Sequence, residues 1–155
     1  MKKNIIFIIS DLFCTFLKIG NIKYMPGTLG SLVGIIIGVS IKNFLSIQIY
    51  IIFVLIIFAL AILAINIYQS IKGKKDSSEI IIDEIIGQQI PIILFEMNLL
   101  NIFLSFILFR FFDILKFFPA SYIDRKYHNS FGVIGDDIIA GFQSSLVMYG
   151  IIVVL

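Results

Sequence analysis

The stretch Ser46–Ile67, SIQIYIIFVLIIFALAILAINI, decides the fold. It contains no Asp, Glu, Lys or Arg. A helix of this length rises about 33 Å at about 1.5 Å per residue, and the hydrocarbon core of a bilayer is about 30 Å thick. Isoleucine runs also suit strands, but a run this long favours helix. We therefore read a membrane-crossing helix and work outward from it. The uncharged runs Tyr24–Ile41 and Ile138–Leu155 are borderline in length. The whole chain is 155 residues, 59% hydrophobic and only 14% charged. That length suits one domain over residues 1–155. The composition predicts an all-α fold, a single compact helical bundle associated with the membrane through several apolar helices.

Turn signals at Met25-Pro26-Gly27, Lys72–Ser78, Phe118-Pro119 and His128-Asn129-Ser130 divide the chain. Between them we place five apolar segments, over 29–41, 46–67, 85–95, 97–109 and 138–155. Segments three and four are short for a bilayer, so they form either a re-entrant hairpin or part of a bundle that only dips into the membrane. If segments alternate direction, the N-terminal arm, the 72–84 loop and the 110–137 loop share one face. Eleven of the twelve Lys and Arg residues then lie on that face and only Lys42 on the other. The positive-inside rule makes it cytoplasmic. Ahead of the segments, Ile5, Ile8, Ile9, Leu12, Phe13 and Phe16 recur at helical spacing with polar residues between them. They predict an amphipathic helix, lying on the membrane or packed on the rest of the chain.

Several functions are excluded. A net charge of +2 without a basic stripe does not suit nucleic acid. The lone Cys14 permits no internal disulfide, and no redox or zinc motif accompanies it. No arginine stands six residues after it, no Asp-x-Asp pair occurs, and His128 is the only histidine, so cysteine-, aspartyl- and histidine-based phosphatase motifs are missing. No Walker A or dinucleotide loop is found.

Ionisable groups beside hydrocarbon are costly, so those retained are functional candidates. Asp83-Glu84 lies in an apolar frame with Gly87 one turn later, which leaves the helix bare above Asp83 for a close approach, and Asp136-Asp137 repeats the pattern with Gly141. Either pair alone also suits the acidic first turn of a helix. Together they offer oxygen ligands to a hard divalent cation such as Mg2+. Arg110, Asp113 and Lys116 follow at i, i+3 and i+6 among Phe, Ile and Leu. The first two suit a helix-surface ion pair. An Arg fork and a Lys charge also suit phosphate oxygens. Asp124-Arg125-Lys126 reads as a plain loop. Pro26-Gly27-Thr28-Leu29-Gly30-Ser31 opens segment one, with Thr28 as N-cap and backbone N–H groups available to an anion.

These motifs, in this order and spacing over roughly residues 15–150, resemble the phosphatidylglycerophosphatase A family. Where that family usually reads Lys-Pro-Trp-Pro, this chain has Lys116-Phe117-Phe118-Pro119, and its approach to Asp136 is Ser130–Gly135 rather than a glycine-rich, methionine-containing one. The charged residues are intact. The resemblance implies an all-helical, Mg2+-dependent hydrolase, associated with a bacterial inner membrane, that converts phosphatidylglycerophosphate to phosphatidylglycerol. On that reading Asp83, Glu84, Asp136 and Asp137 hold the metal. Asp83, Asp113, Asp136 and Asp137 serve the chemistry. Thr28, Ser31, Arg110 and Lys116 bind the substrate phosphate. Either water or a carboxylate is the nucleophile, and the oligomeric state is not specified. The rival from another class is a small ion or metal transporter, which would keep its carboxylates near the bilayer midplane and have no need of Arg110 or Lys116.

Overall fold

In a computed structural model, which describes residues 2–73 and 77–154, the apolar runs form helices. In chain order these are α1 (Lys2–Cys14), α2 (Pro26–Phe44), α3 (Ile47–Lys72), α4 (Ile82–Leu94), α5 (Leu99–Leu115), α6 (Ala120–Lys126) and α7 (Ser130–Val154), with a 3-10 turn at Ile19–Asn21. No strand occurs among the described residues. Helices α2, α3 and α7 are each long and apolar enough to cross a membrane. Local chemistry sets most boundaries. Pro26 opens α2 with a ring already shaped for the first turn. Gly73 closes α3 in the left-handed conformation, φ 69°. The Asn98 side chain caps α5 by accepting the Asn101 N–H at 2.8 Å. The expected turn over Lys72–Ser78 lies partly outside the described residues.

Most boundaries shift by a few residues from the sequence reading; α3, for one, runs on to Lys72 rather than ending at 67. Helix α2 starts at Pro26 rather than 29, α5 continues to Leu115 rather than ending at 109, and α7 starts at Ser130 rather than 138. The 110–137 stretch is therefore no loop. It holds the end of α5, all of α6 and the first two turns of α7. For α2, Pro26-Gly27 reads as a turn, but proline suits the first turn of a helix. For α5 and α7, charges read as helix ends, but a bundle that pairs its charges lets helices run through them. Helix α5 gains length this way and reaches about 26 Å. Thr28 is not an N-cap either. Met25 holds that position in a left-handed conformation, and the Thr28 N–H donates to its carbonyl at 3.0 Å.

Helix α4 is the axis of the bundle. Nine of its thirteen residues are buried, the polar Gln88 and Gln89 among them, and Gln89 donates to the Gly34 carbonyl at 3.0 Å, as a buried polar group must find a partner. At about 20 Å the helix is too short to span hydrocarbon alone. It runs parallel to α2, whose buried Gly27, Gly30, Gly34 and Gly38 form the contact stripe. It also runs parallel to α7 and antiparallel to α5. At its far end, Lys42 donates to the carbonyls of Ile92 (2.6 Å), Ile93 (3.1 Å) and Phe95 (2.5 Å). One helix thereby caps the orphan carbonyls of its neighbour. Lys42→Met should lower stability by about 1–3 kcal/mol, read as a lower thermal-unfolding temperature in detergent.

Helix α1 reverses the usual amphipathic arrangement. Ser10, Asp11, Cys14 and Thr15 are buried, while Ile5, Ile8 and Ile9 are 55%, 53% and 63% exposed. Ser10 Oγ donates to the Ala64 carbonyl at 2.5 Å, and the Phe7 ring stacks on Tyr68. The helix thus packs on α3 through its small and polar side. Lipid is as apolar as isoleucine, so only packing and hydrogen bonds choose the inward face.

Candidate active site

The N-terminal ends of α2, α4 and α7 and the C-terminal end of α5 meet around one cavity of about 440 Å³, with α6 across it. Asp83, Glu84, Arg110, Asp113, Lys116, Asp124, Asp136, Asp137 and Thr28 all line it. The alternating path inferred from the sequence brings these ends to one side. The cavity holds six carboxylates against two Lys and Arg residues, an excess of four negative charges. Such an excess in a half-buried site calls for a cation or for protons.

Asp83 and Glu84 occupy the first turn of α4, and the Asp83 carboxylate accepts the Glu84 N–H at 3.1 Å. Asp137 reaches them from the second turn of α7. One oxygen from each of these three residues lies within 4.8 Å of the others. Burial pushes the Asp83 carboxyl well above its ordinary range, and the neighbouring Glu84 charge adds to it. Burial likewise lifts Glu84 to about 7, against the opposing hydrogen bond from Asp83. Glu84 Oε2 is buried without a hydrogen-bond partner. A divalent cation would satisfy that atom and relieve the mutual repulsion. The donors are all hard oxygens, so the set suits Mg2+ better than a thiol-seeking metal.

Asp136 points elsewhere. It accepts from Lys116 Nζ at 2.6 Å, and the same ammonium donates to Asp124 at 2.5 Å. Burial alone would lower the Lys116 pKa, but the two carboxylates outweigh it and the ammonium is held charged. The second Asp136 oxygen is buried and unpartnered. Asp124 is the site residue that sequence reasoning missed. Its neighbours Arg125 and Lys126 made it look like part of a solvated run, and only the fold-back of α6 after Pro119 brings it to Lys116.

Arg110 forms an ion pair with Asp113 one turn later, and its Nη1 lies 3.4 Å from Ser31 Oγ. Ser31 is fully buried and donates to the Gly27 carbonyl at 2.9 Å. It sits behind the guanidinium rather than on the cavity wall, whereas Thr28 is on the wall. His128 and Tyr127 stand at the rim.

The four separated motifs thus meet in one cavity, and the comparison with known proteins covers all of them. The family model of phosphatidylglycerophosphatase A matches residues 12–152. The chain belongs to the phosphatidylglycerophosphatase A family. It is 38% identical over 135 residues to a phosphatidylglycerophosphatase A of Haemophilus influenzae, covering 85% of this chain and 82% of that one. It is 30% identical over 126 residues to the Escherichia coli protein of the same name, covering 81% and 73%. No solved structure matches.

Within the cavity, Gly27 ties the two halves of the site together. A β-carbon there would collide with Glu84 Oε1 and lie 3.0 and 3.1 Å from the Arg110 guanidinium nitrogens. All three atoms end flexible side chains, so the fold can yield but the site geometry cannot. Gly27→Ala should keep its unfolding temperature within about 2 °C, since the backbone need not move. Its hydrolytic rate should fall about 10- to 100-fold, as displaced catalytic groups do. A phosphate-release assay run beside thermal unfolding checks both.

Proposed function

We propose that this protein removes the terminal phosphate of phosphatidylglycerophosphate with Mg2+, giving phosphatidylglycerol at the cytoplasmic face of a bacterial inner membrane. Family membership supports the phosphatase class. The observation that carries the finer reading is the hard-oxygen cluster of Asp83, Glu84 and Asp137 in the same cavity as Arg110 and Lys116. Charges at helix ends, beside cations, favour phosphate chemistry over an ion path through the midplane.

Asp83, Glu84 and Asp137 would hold the metal, which supplies positive charge against the phosphate oxygens. Arg110, aligned by Asp113 and Ser31, orients the phosphate through its planar fork. Lys116 adds a second positive charge where negative charge grows on the oxygens. Water attacks phosphorus, the bond from phosphorus to the glycerol oxygen breaks, and inorganic phosphate leaves. The free Asp136 oxygen takes the proton from that water and gives it up to the departing glycerol oxygen, which leaves as the alcohol. Thr28 borders the phosphate at the start of α2. The acyl chains stay in the hydrocarbon alongside α2, α3 and α7. On the alternating path read from the sequence, eleven of the twelve Lys and Arg residues fall on the site side, which supports the cytoplasmic orientation.

The test is phosphate release from phosphatidylglycerophosphate in mixed micelles, with phosphatidic acid as the second substrate. Chelation of divalent cations should reduce the rate at least about 1000-fold, with recovery on adding Mg2+. Undiminished release under chelation would remove the cation from the reading. Preference for phosphatidic acid would remove the named substrate.

A further inference from the structure

Helix α6 carries three charges, and they divide between its two sides. Asp124 turns inward onto Lys116. Arg125 and Lys126 remain exposed, and Arg125 makes no hydrogen bond or ion pair to any described residue. The outward side therefore presents two cations whose neighbouring acid is already neutralised. Beside them lies a shallow concavity of about 330 Å³, lined by Phe118, Ser121, Tyr122, Arg125 and Lys126. Lys126 Nζ sits 5.0 Å from the centre of the Tyr122 ring and 5.3 Å from that of Tyr127. It also donates to the Tyr122 hydroxyl at 2.7 Å. Phe118 is 77% exposed.

A solvated charge run has no reason to keep such aromatics in the open. Their place in the fold supplies one. Helix α6 links the end of α5 to the start of α7, a helix long enough to cross the membrane, so it lies at the level where hydrocarbon gives way to headgroups. Exposed aromatics beside Lys and Arg belong to that boundary, and basic side chains there attract anionic lipid.

We propose that the concavity on the outer side of α6 binds the headgroup phosphate of an anionic phospholipid. The free Arg125 fork faces the phosphate oxygens, and Lys126, already braced by two tyrosines, supplies the second charge. Phe118 and Tyr122 rest against the upper acyl chain. The concavity shares no lining residue with the catalytic cavity, although Tyr127 stands both at the rim of that cavity and beside Lys126. Its occupant is a lipid already in the membrane, whether or not that lipid is a substrate.

The full-length chain, delipidated in detergent, is given equal amounts of phosphatidylserine and phosphatidylcholine, and retained lipid is counted by native mass spectrometry. Phosphatidylserine should be preferred about tenfold, and Arg125→Gln with Lys126→Gln should abolish that preference. Ser121→Trp, which fills the concavity and keeps both cations, should abolish it too. Lys72→Gln, on the same side but paired with Glu79 at 2.5 Å, should change it less than about twofold. The inference is overturned if wild type shows no preference, if either α6 variant keeps it, or if Lys72→Gln loses it equally. The readout is binding, so failure here is distinct from failure of the hydrolytic reading.

Discussion

Asp137→Asn should lower kcat at least about 1000-fold, equivalent to about 4 kcal/mol of lost transition-state stabilisation. It should also raise the Mg2+ concentration needed for half-maximal rate, because Asp137 is the α7 member of the three-carboxylate cluster. Asp136→Asn gives the contrast. Its carboxylate is bound to Lys116 at 2.6 Å rather than turned to the cluster. That variant should lose kcat while its Mg2+ requirement stays within about twofold, since no metal donor is removed. Rates measured across a Mg2+ titration separate the two. An unchanged Mg2+ requirement in Asp137→Asn would strike it from the metal site, and a raised one in Asp136→Asn would add Asp136.

The second large effect is expected at a residue that carries no chemistry. A β-carbon on Gly87 would lie 2.7 Å from the Asp137 carbonyl and 2.8 Å from the Phe109 ring. A β-carbon on Gly141 would lie 2.6 Å from the Gly87 carbonyl. The α4–α7 crossing therefore closes backbone on backbone, in the manner of small-residue contacts between membrane helices. Backbone cannot rotate away as a side-chain end can, so Gly87→Ala must push α7 outward and carry Asp137 with it. Such overpacking costs about 1–3 kcal/mol, and the displaced carboxylate should reduce turnover at least about 100-fold. Gly150→Ala, on α7, is the control, because nothing lies within 4 Å of its β-carbon position. Thermal unfolding and phosphate release measured on both variants decide it. Full activity in Gly87→Ala would show that the crossing has slack and that its glycine serves no purpose at the site.

Gly87 also shows where sequence reasoning stopped. Read along the chain, it leaves the helix bare above Asp83, so that something can approach closely. What approaches is α7. The glycine was correctly taken as a close contact, but its partner was invisible. The isoleucines of α1 carry the same lesson. Their spacing announced a helix, yet the face they present is outward, because hydropathy chooses an inward face only when water is outside.

Asp136 and Asp137 mark the division most plainly. The sequence by itself determined that this chain is helical and membrane-associated, because runs such as Ser46–Ile67 have few other physical outcomes. It also determined that the acids and cations share one end of the bundle, because helices that cross and return must alternate. Two adjacent residues on a helix point about 100° apart, and which of them meets α4 depends on how far α7 is rotated. That rotation is set by the Gly87–Gly141 contact between backbones distant in sequence. Only the tertiary structure could therefore give Asp137 to the carboxylate cluster and Asp136 to Lys116, and only it could bring Asp124 back across Pro119 to hold that lysine in place.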